Sequence, residues 1–297
     1  MSPAAPFAPG SLRASVAAAT ARALAAGALQ SIPTGQASIE DGGVRFLVRV
    51  LATHARKREE RERTAAAGKP ANPFLPYERD LFVADVSATH VGILNKFQVV
   101  DDHLLIVTRE FEEQRSLLTP RDFDALWRCL GEYGSLGFYN GGPEAGASQP
   151  HKHLQLVPLP LAPEGPAVPI EPLLAAAGGS GGPTTVPGFG YLHAFARLGG
   201  DRAGGAREAF ERYGALLEAV GCQERPGAPG IQGRPYCLLA TLDWLLLVPR
   251  SREHFRSVSI NALGFAGALL VWNDEQLRGL EEAGPFAALR ETAFPPG

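Results

Sequence analysis

Hydrophobic and polar positions along the chain fall into short, separable patterns. From Val44 to Leu51, Val44, Phe46, Val48 and Val50 alternate with Arg45, Leu47 and Arg49, the two-residue period of a strand. Residues 12–29 repeat Leu12, Val16, Ala19 and Ala23 on one face, which predicts a helix with Ser11 as its N-cap. Brief apolar runs over 81–86, 91–94 and 104–108, divided by tight turns, predict antiparallel pairing rather than long crossovers. Thr119-Pro120-Arg121-Asp122 opens a helix expected to run to about Gly134 and to bury Phe123, Leu126, Trp127 and Leu130. A helix near 204–220, a hairpin of 236–239 and 244–248, and a last helix from about Asn273 follow. Residues 158–190 are rich in Pro and Gly without any period and read as a long surface loop, and the charged run 56–63 reads as a solvated helix face.

Composition narrows the class. The 297 residues suffice for a sizeable core, and 45% hydrophobic with 20% charged residues fits a soluble globular protein. A formal charge of −3 offers no positive field to hold nucleic acid by its phosphates. No apolar run reaches transmembrane length, and the opening Met1 to Pro6 lacks the basic start and apolar core of a secretory signal. Cys129, Cys222 and Cys237 are too few and too scattered for a disulfide framework or a four-thiolate zinc site. A reducing, cytoplasmic setting is expected, with no membrane and no obligate protein partner.

The chemistry concentrates in one run, Asn140-Gly141-Gly142-Pro143-Glu144-Ala145-Gly146-Ala147-Ser148-Gln149-Pro150-His151-Lys152-His153-Leu154-Gln155. A small-residue loop feeds directly into a strand, on which His151, His153 and Gln155 share one face while Lys152 and Leu154 point away. Glycine-containing loops let backbone N–H groups approach phosphate oxygens, and Ser148 with its neighbours would cradle them. Neutral imidazole can attack phosphorus and form a P–N bond that is easily broken again. His153 is the best placed to attack, Gln155 can donate to an oxygen gaining charge, and His151 can hydrogen-bond the leaving phosphate or help hold the geometry. A rival reading makes His151 and His153 two ligands of a zinc ion, with a third from His54, His90, His103, His193, His254 or a distant acid. No such residue has a diagnostic spacing.

His151-Lys152-His153-Leu154-Gln155-Leu156-Val157 resembles the His-x-His-x-Gln signature of the histidine-triad-motif (HIT-like) transferases, and within them the ATP adenylyltransferases, or diadenosine tetraphosphate phosphorylases. Asn72-Pro73-Phe74-Leu75-Pro76, Leu94-Asn95-Lys96-Phe97, His103 to Thr108, Phe138-Tyr139-Asn140, Leu247 to Arg252 and Asn261 to Gly267 are similar to further family blocks in family order, from about residue 30 to about 285. The resemblance implies an α+β, HIT-like fold, an antiparallel sheet flanked by helices. Residues 1–34 would form an N-terminal helical extension and 35–297 a single domain, with 158–190 an insertion and 257–290 completing the site. It implies phosphorolysis of diadenosine tetraphosphate to ADP and ATP through an adenylylated His153. Phosphate binding would fall to Gly146, Ala147, Ser148, Gln149 and Gln155. Other substrate contacts would fall to Lys57, Asn95, Lys96, Asn140, Asn261, Ala262 and Leu263. Trp272 stands where some relatives carry a substrate-contacting lysine, and Ala268 replaces a larger residue. No tightly bound cofactor or protein metal site is expected; a divalent cation such as Mg would accompany the substrate. The partners are then small molecules: a dinucleoside polyphosphate, ATP, ADP and inorganic phosphate. Alternatives are a hydrolase of the same superfamily, a hexose-1-phosphate uridylyltransferase, and a non-catalytic nucleotide-binding module.

Overall fold

Strands joined by a few residues pair readily with their neighbours, and in the main sheet every pair is antiparallel. The structure, a computed structural model, describes residues 5–51, 72–178, 182–199 and 204–296. Among these an eight-stranded sheet runs in the order Ala194–Arg197, Trp244–Pro249, Tyr236–Ala240, Ser135–Gly141, His153–Pro158, Leu104–Thr108, His90–Leu94, Phe82–Asp85. Every neighbouring pair is antiparallel. The Val44–Leu51 strand lies in a second, three-stranded sheet, antiparallel to Thr34–Asp41 and parallel to Ala268–Val271.

Alternation along the strands gives the large sheet two different faces. Leu104, Ile106, Leu154, Leu156, Leu238 and Leu247 point to one side, under helices Leu12–Ala25, Pro120–Leu130 and Gly205–Ala219. On the other side, Leu136, Phe138, Val157, Leu239 and Val248 meet Val44, Phe46, Val48 and the C-terminal helices. Phe74, Val91, Ile93, Leu105 and Val107 form a separate, smaller cluster toward the other edge of that same side. His153 and Gln155 lie between these two clusters, paired in register with Val107 and with Leu105 and Phe138.

Helix starts performed as local chemistry dictates, with one exception, although the helix that opens at Pro120 ends at Leu130, short of the expected Gly134. The Asp122 carboxylate accepts from the Thr119 N–H at 2.6 Å and from its hydroxyl at 2.9 Å, closing the expected start. Trp127 and Trp244 are buried. Asn273 caps helix Asp274–Ala283 by accepting from Gln276 N–H. Ser11, in contrast, does not cap its helix. Its hydroxyl donates to Ala8 O, and the Glu132 carboxylate accepts from the N–H groups of Gly10 and Leu12 instead. The helix stops at Ala25, shortly before Gly27 turns the chain at φ +68°.

The reading of 158–190 as a surface loop is overturned. The stretch carries a helix, Glu171–Ala176, and buries Leu161, Val168, Ile170, Leu174, Val186 and Phe189 in the core beneath the C-terminal helices. His193 fastens it, accepting from Val186 N–H at 2.6 Å and donating from Nδ1 to Tyr191 O at 2.7 Å. Among the described residues no helix is long and apolar enough to cross a membrane. The charged run 56–63, with Lys57 and His54, lies outside the described residues.

Candidate functional site

The site is built where the central ladder ends. Register pairing between Ser135–Gly141 and His153–Pro158 stops at Phe138 and Gln155, and beyond it a side chain replaces the ladder. Buried Gln114 accepts from His153 N–H at 2.8 Å and donates to Asn140 O at 2.9 Å and to His153 O at 3.2 Å. The His153 backbone is therefore pinned by a side chain on the Asn140 side, while Val107 pairs with it on the other.

His153 is 5% exposed, and its Nδ1 lies 2.8 Å from the carbonyl oxygen of His151. A carbonyl only accepts, so Nδ1 carries the proton and Nε2 keeps a lone pair on the opposite edge of the ring. Burial pushes the imidazole down to about 4, so it is neutral at pH 7. His151 is held harder. Its Nε2 donates among Thr108 O at 2.9 Å and Glu110 O at 3.1 Å, and its Nδ1 faces the Asn72 amide at 3.0 Å. Both ring nitrogens of His151 are thus engaged, which leaves it none to offer a zinc ion. His90, another candidate ligand, donates to Asp122 on the opposite face. Phe74 packs edge-on against both rings, with centroids 5.7 Å from His151 and 5.2 Å from His153.

Gln155 is reached through a chain that sequence reasoning did not assemble. Asn95 Nδ2 donates to His103 Nδ1 at 3.1 Å, and His103 Nε2 donates to Gln155 Oε1 at 3.0 Å. Burial takes His103 down to about 4, with the neighbouring His153 adding to the shift. The oxygen of Gln155 is thereby occupied, and its amide N–H groups are the end left to meet a substrate oxygen. Asn95 serves the site through His103. Lys96 pairs with Glu78 on a half-exposed edge. The signal for His103 was available, since it directly precedes the strand Leu104–Thr108, whose first four residues are apolar and which is buried throughout.

The small-residue loop is organised differently from the expected cradle. Gly142, at φ +101°, and Gly146, at φ +89°, bracket a single turn in which Ala145 and Ala147 donate to Gly142 O and Gly146 donates to Pro143 O. The N–H groups of Gly146 and Ala147 are engaged within the turn, so the turn itself rather than an open row of donors is what the loop presents. Ser148 and Gln149 follow the turn, Ser148 exposed. Gly146 has a packing role as well, because a Cβ there would sit 2.8 Å from Asn261 Cβ.

Asn140 belongs to the strand Ser135–Gly141 rather than to a turn, and its Oδ1 accepts from Ala262 N–H at 2.9 Å. Asn261 caps the short helix Ala262–Phe265 by accepting from Leu263 N–H at 3.0 Å. The backbone donors of Ala262 and Leu263 are spent in this way, and the three residues 261–263 form a wall against Gly146. Lys57 lies outside the described residues.

Lys152 points away as expected, but into the opposite core rather than toward water. Its Nζ, fully buried, donates to Asp122 at 2.8 Å, Glu112 at 3.0 Å and Leu117 O at 3.1 Å. His90 Nε2 donates to the other oxygen of Asp122 at 2.9 Å. Burial pushes Asp122 up, but bonds from His90 and Lys152 outweigh it and bring the carboxyl to about 2. A lysine alternating with Leu154 and Leu156 in an apolar strand requires a buried partner, and that requirement was legible.

Two family models cover the chain, the Ap4A phosphorylase N-terminal domain over residues 2–176 and the ATP adenylyltransferase C-terminal domain over 187–295. The chain belongs to the Ap4A phosphorylase family. It is an enzyme that transfers adenylyl groups, and the family's two matched regions contribute strands to one continuous sheet. A Saccharomyces cerevisiae relative, diadenosine 5′,5‴-P1,P4-tetraphosphate phosphorylase 2, is 29% identical over 246 residues, which are 72% of this chain and 73% of the relative. The crystal structure of yeast Ap4A phosphorylase Apa2 superposes with a TM-score of 0.79 at 24% identity, covering 96% of this chain and 95% of that one. The same yeast protein in complex with Ap4A gives 0.78, with 96% and 98% covered. These superpositions establish the α+β fold of this Ap4A phosphorylase family member.

Proposed function

We propose that this chain catalyses phosphorolysis of diadenosine tetraphosphate, with His153 as the nucleophile. The carrying observation is the 2.8 Å contact between His153 Nδ1 and the His151 carbonyl, which fixes the tautomer and frees Nε2. His153 Nε2 attacks the phosphorus next to one adenosine, forming a P–N bond as the P–O bond to the leaving ATP breaks. Inorganic phosphate then attacks the same phosphorus, forming a P–O bond while the P–N bond returns its electrons to the ring. ADP is the second product. Two displacements give ping-pong kinetics and overall retention at phosphorus.

Gln155 donates its amide hydrogens to the non-bridging oxygen that gains charge, held in aim by His103 and Asn95. Ser148 and Gln149, at the open end of the loop, meet the polyphosphate. Asn261, Ala262 and Leu263 bound the nucleotide as a wall, and Lys96 exchanges Glu78 for phosphate. A divalent cation enters with the polyphosphate. The substrate partners are the dinucleotide, ATP, ADP and phosphate.

The test is product analysis of the purified chain with diadenosine tetraphosphate, with and without phosphate. Phosphate-dependent formation of ATP and ADP is expected, and His153→Ala lowers it by roughly 10⁴-fold or more. ATP and AMP formed without phosphate would make the chain a hydrolase. Turnover of UDP-glucose instead would make it a uridylyltransferase.

A further inference from the structure

Among the described residues Arg250 is the largest fully buried side chain, at 1% exposure. The sequence Pro249-Arg250-Ser251-Arg252 looks like a solvent-facing turn after a strand, yet this guanidinium is enclosed. A guanidinium has five N–H donors and stays charged at any physiological pH. Here Nε donates to Thr292 O at 3.0 Å, Nη1 to Cys237 Sγ at 3.2 Å and Ala145 O at 3.4 Å. Nη2 donates to Arg252 O at 2.9 Å and Glu253 O at 3.4 Å. The Phe265 ring lies under the charge, its centroid 4.9 Å away. All five donors are met, and every acceptor is neutral.

Among the described residues no carboxylate lies within ion-pair distance of this cation. Nearby acids are directed elsewhere, Glu253 to Ser259 and His254, Glu291 to Arg252, and Glu144 to Arg115. Buried charges are ordinarily paired, because an isolated ion gives up its hydration with nothing to replace it. This one sits instead against the turn that ends at Gly146, touching it at the carbonyl oxygen of Ala145. Its other contacts reach the helix that carries the 261–263 wall.

We infer that Arg250 is a positioning residue for the polyphosphate, which it attracts through the turn and never touches. It ties the Gly142–Gly146 turn to the C-terminal helices and keeps behind that turn a positive charge that the substrate's phosphates, rather than any protein acid, offset. In a dry interior such a charge acts over a longer range than on the surface. The inference rests on the phosphate site proposed above.

Charge-graded binding separates this role from a structural one. Dissociation constants for adenosine, AMP, ADP and ATP are measured by calorimetry on the full chain, on Arg250→Met and on Arg250→Lys. The Met variant is expected to bind adenosine within about twofold of the parent, with losses that grow from AMP to ATP, reaching about tenfold, or about 1.4 kcal/mol, for ATP. Lysine, keeping the charge without the fork, is expected to restore most of the ATP affinity. An equal loss for all four ligands, or a Lys variant no better than Met at equal thermal stability, overturns the inference. Should Arg250→Met not fold, the Lys variant decides alone. It keeps the parent's rise in affinity from AMP to ATP if charge matters and flattens it if only the fork matters. A parent that binds ATP in this graded way but fails to phosphorolyse diadenosine tetraphosphate would refute the proposed reaction and leave this inference standing.

Discussion

The strand segment from His151 to Gln155 solves the same burial problem in opposite ways on its two faces. On the substrate side, His153, His103 and Gln155 are dehydrated without any carboxylate partner, and the imidazoles respond by giving up their proton. On the far side, Lys152 is equally buried and is placed against Asp122 and Glu112. One face is kept neutral so that a lone pair is available for chemistry. The other keeps its charges, and they clamp the strand to the helix Pro120–Leu130 through the same Asp122 that opens it. Reactivity and rigidity are thus separated by a single peptide unit.

Breaking the charged face gives the largest effect. Lys152→Met leaves Asp122 buried with one cation fewer and is expected to destabilise the chain by about 3–5 kcal/mol, measured by urea unfolding. Lys152→Met with Asp122→Leu, which removes both charges, is expected to recover much of that loss. If the double variant is no better than the single one, the pair is not the source of the stability.

Acid sharpens the comparison, because the two faces fail in different windows. His153 and His103 have folded-state values near 4 against about 6.5 unfolded, so the unfolded chain binds more protons between these limits. Their stabilisation is complete above about pH 6.5 and is lost as the pH falls toward 4, roughly 3 kcal/mol for each group. Asp122, near 2 when folded and about 3.9 unfolded, keeps its contribution down to about pH 4 and loses it toward pH 2. Unfolding free energies from pH 8 to 3 should therefore slope upward with pH above 4, and less steeply in His103→Phe/His153→Gln. His151 and His193, also lowered by burial, add to the slope in the same direction. An unchanged slope in the double variant would remove these two imidazoles from the account.

The smallest expected effect concerns aim. His103→Phe keeps a ring beside Phe138, whose centroid is 5.7 Å away, but releases Gln155. A fall in kcat of about tenfold with little change in KM is expected, the cost of a loosened donor. A loss confined to KM would place the chain from Asn95 to Gln155 in binding instead.

These contrasts explain what the sequence disclosed. The helix at Pro120 and the shared face of His153 and Gln155 follow from local rules of capping and alternation, and both were legible. Residues 158–190 were misread because core contacts by Val168, Ile170 and Phe189 follow no period once prolines and glycines break the backbone into single turns. Asn140-Gly141-Gly142 has turn chemistry, but pairing with Tyr236 and Cys237 on a distant strand makes a strand of it up to Gly141. Arg250 was hidden for the same reason, since its enclosure depends on Thr292, Ala145 and Phe265, far apart along the chain. The Gly146 turn displayed its glycines but not the destination of its N–H groups.

Gln114 stands in for a rung of the ladder between Asn140 and His153. A rung made of backbone can open only when two strands separate, whereas this one can swing on the rotors of a single side chain. The seam between Asn140 and His153 is therefore only as strong as one amide side chain, so shortening Gln114 would unfasten it while the register at Phe138 and Gln155, and at Val107 on the other side, stays as it is.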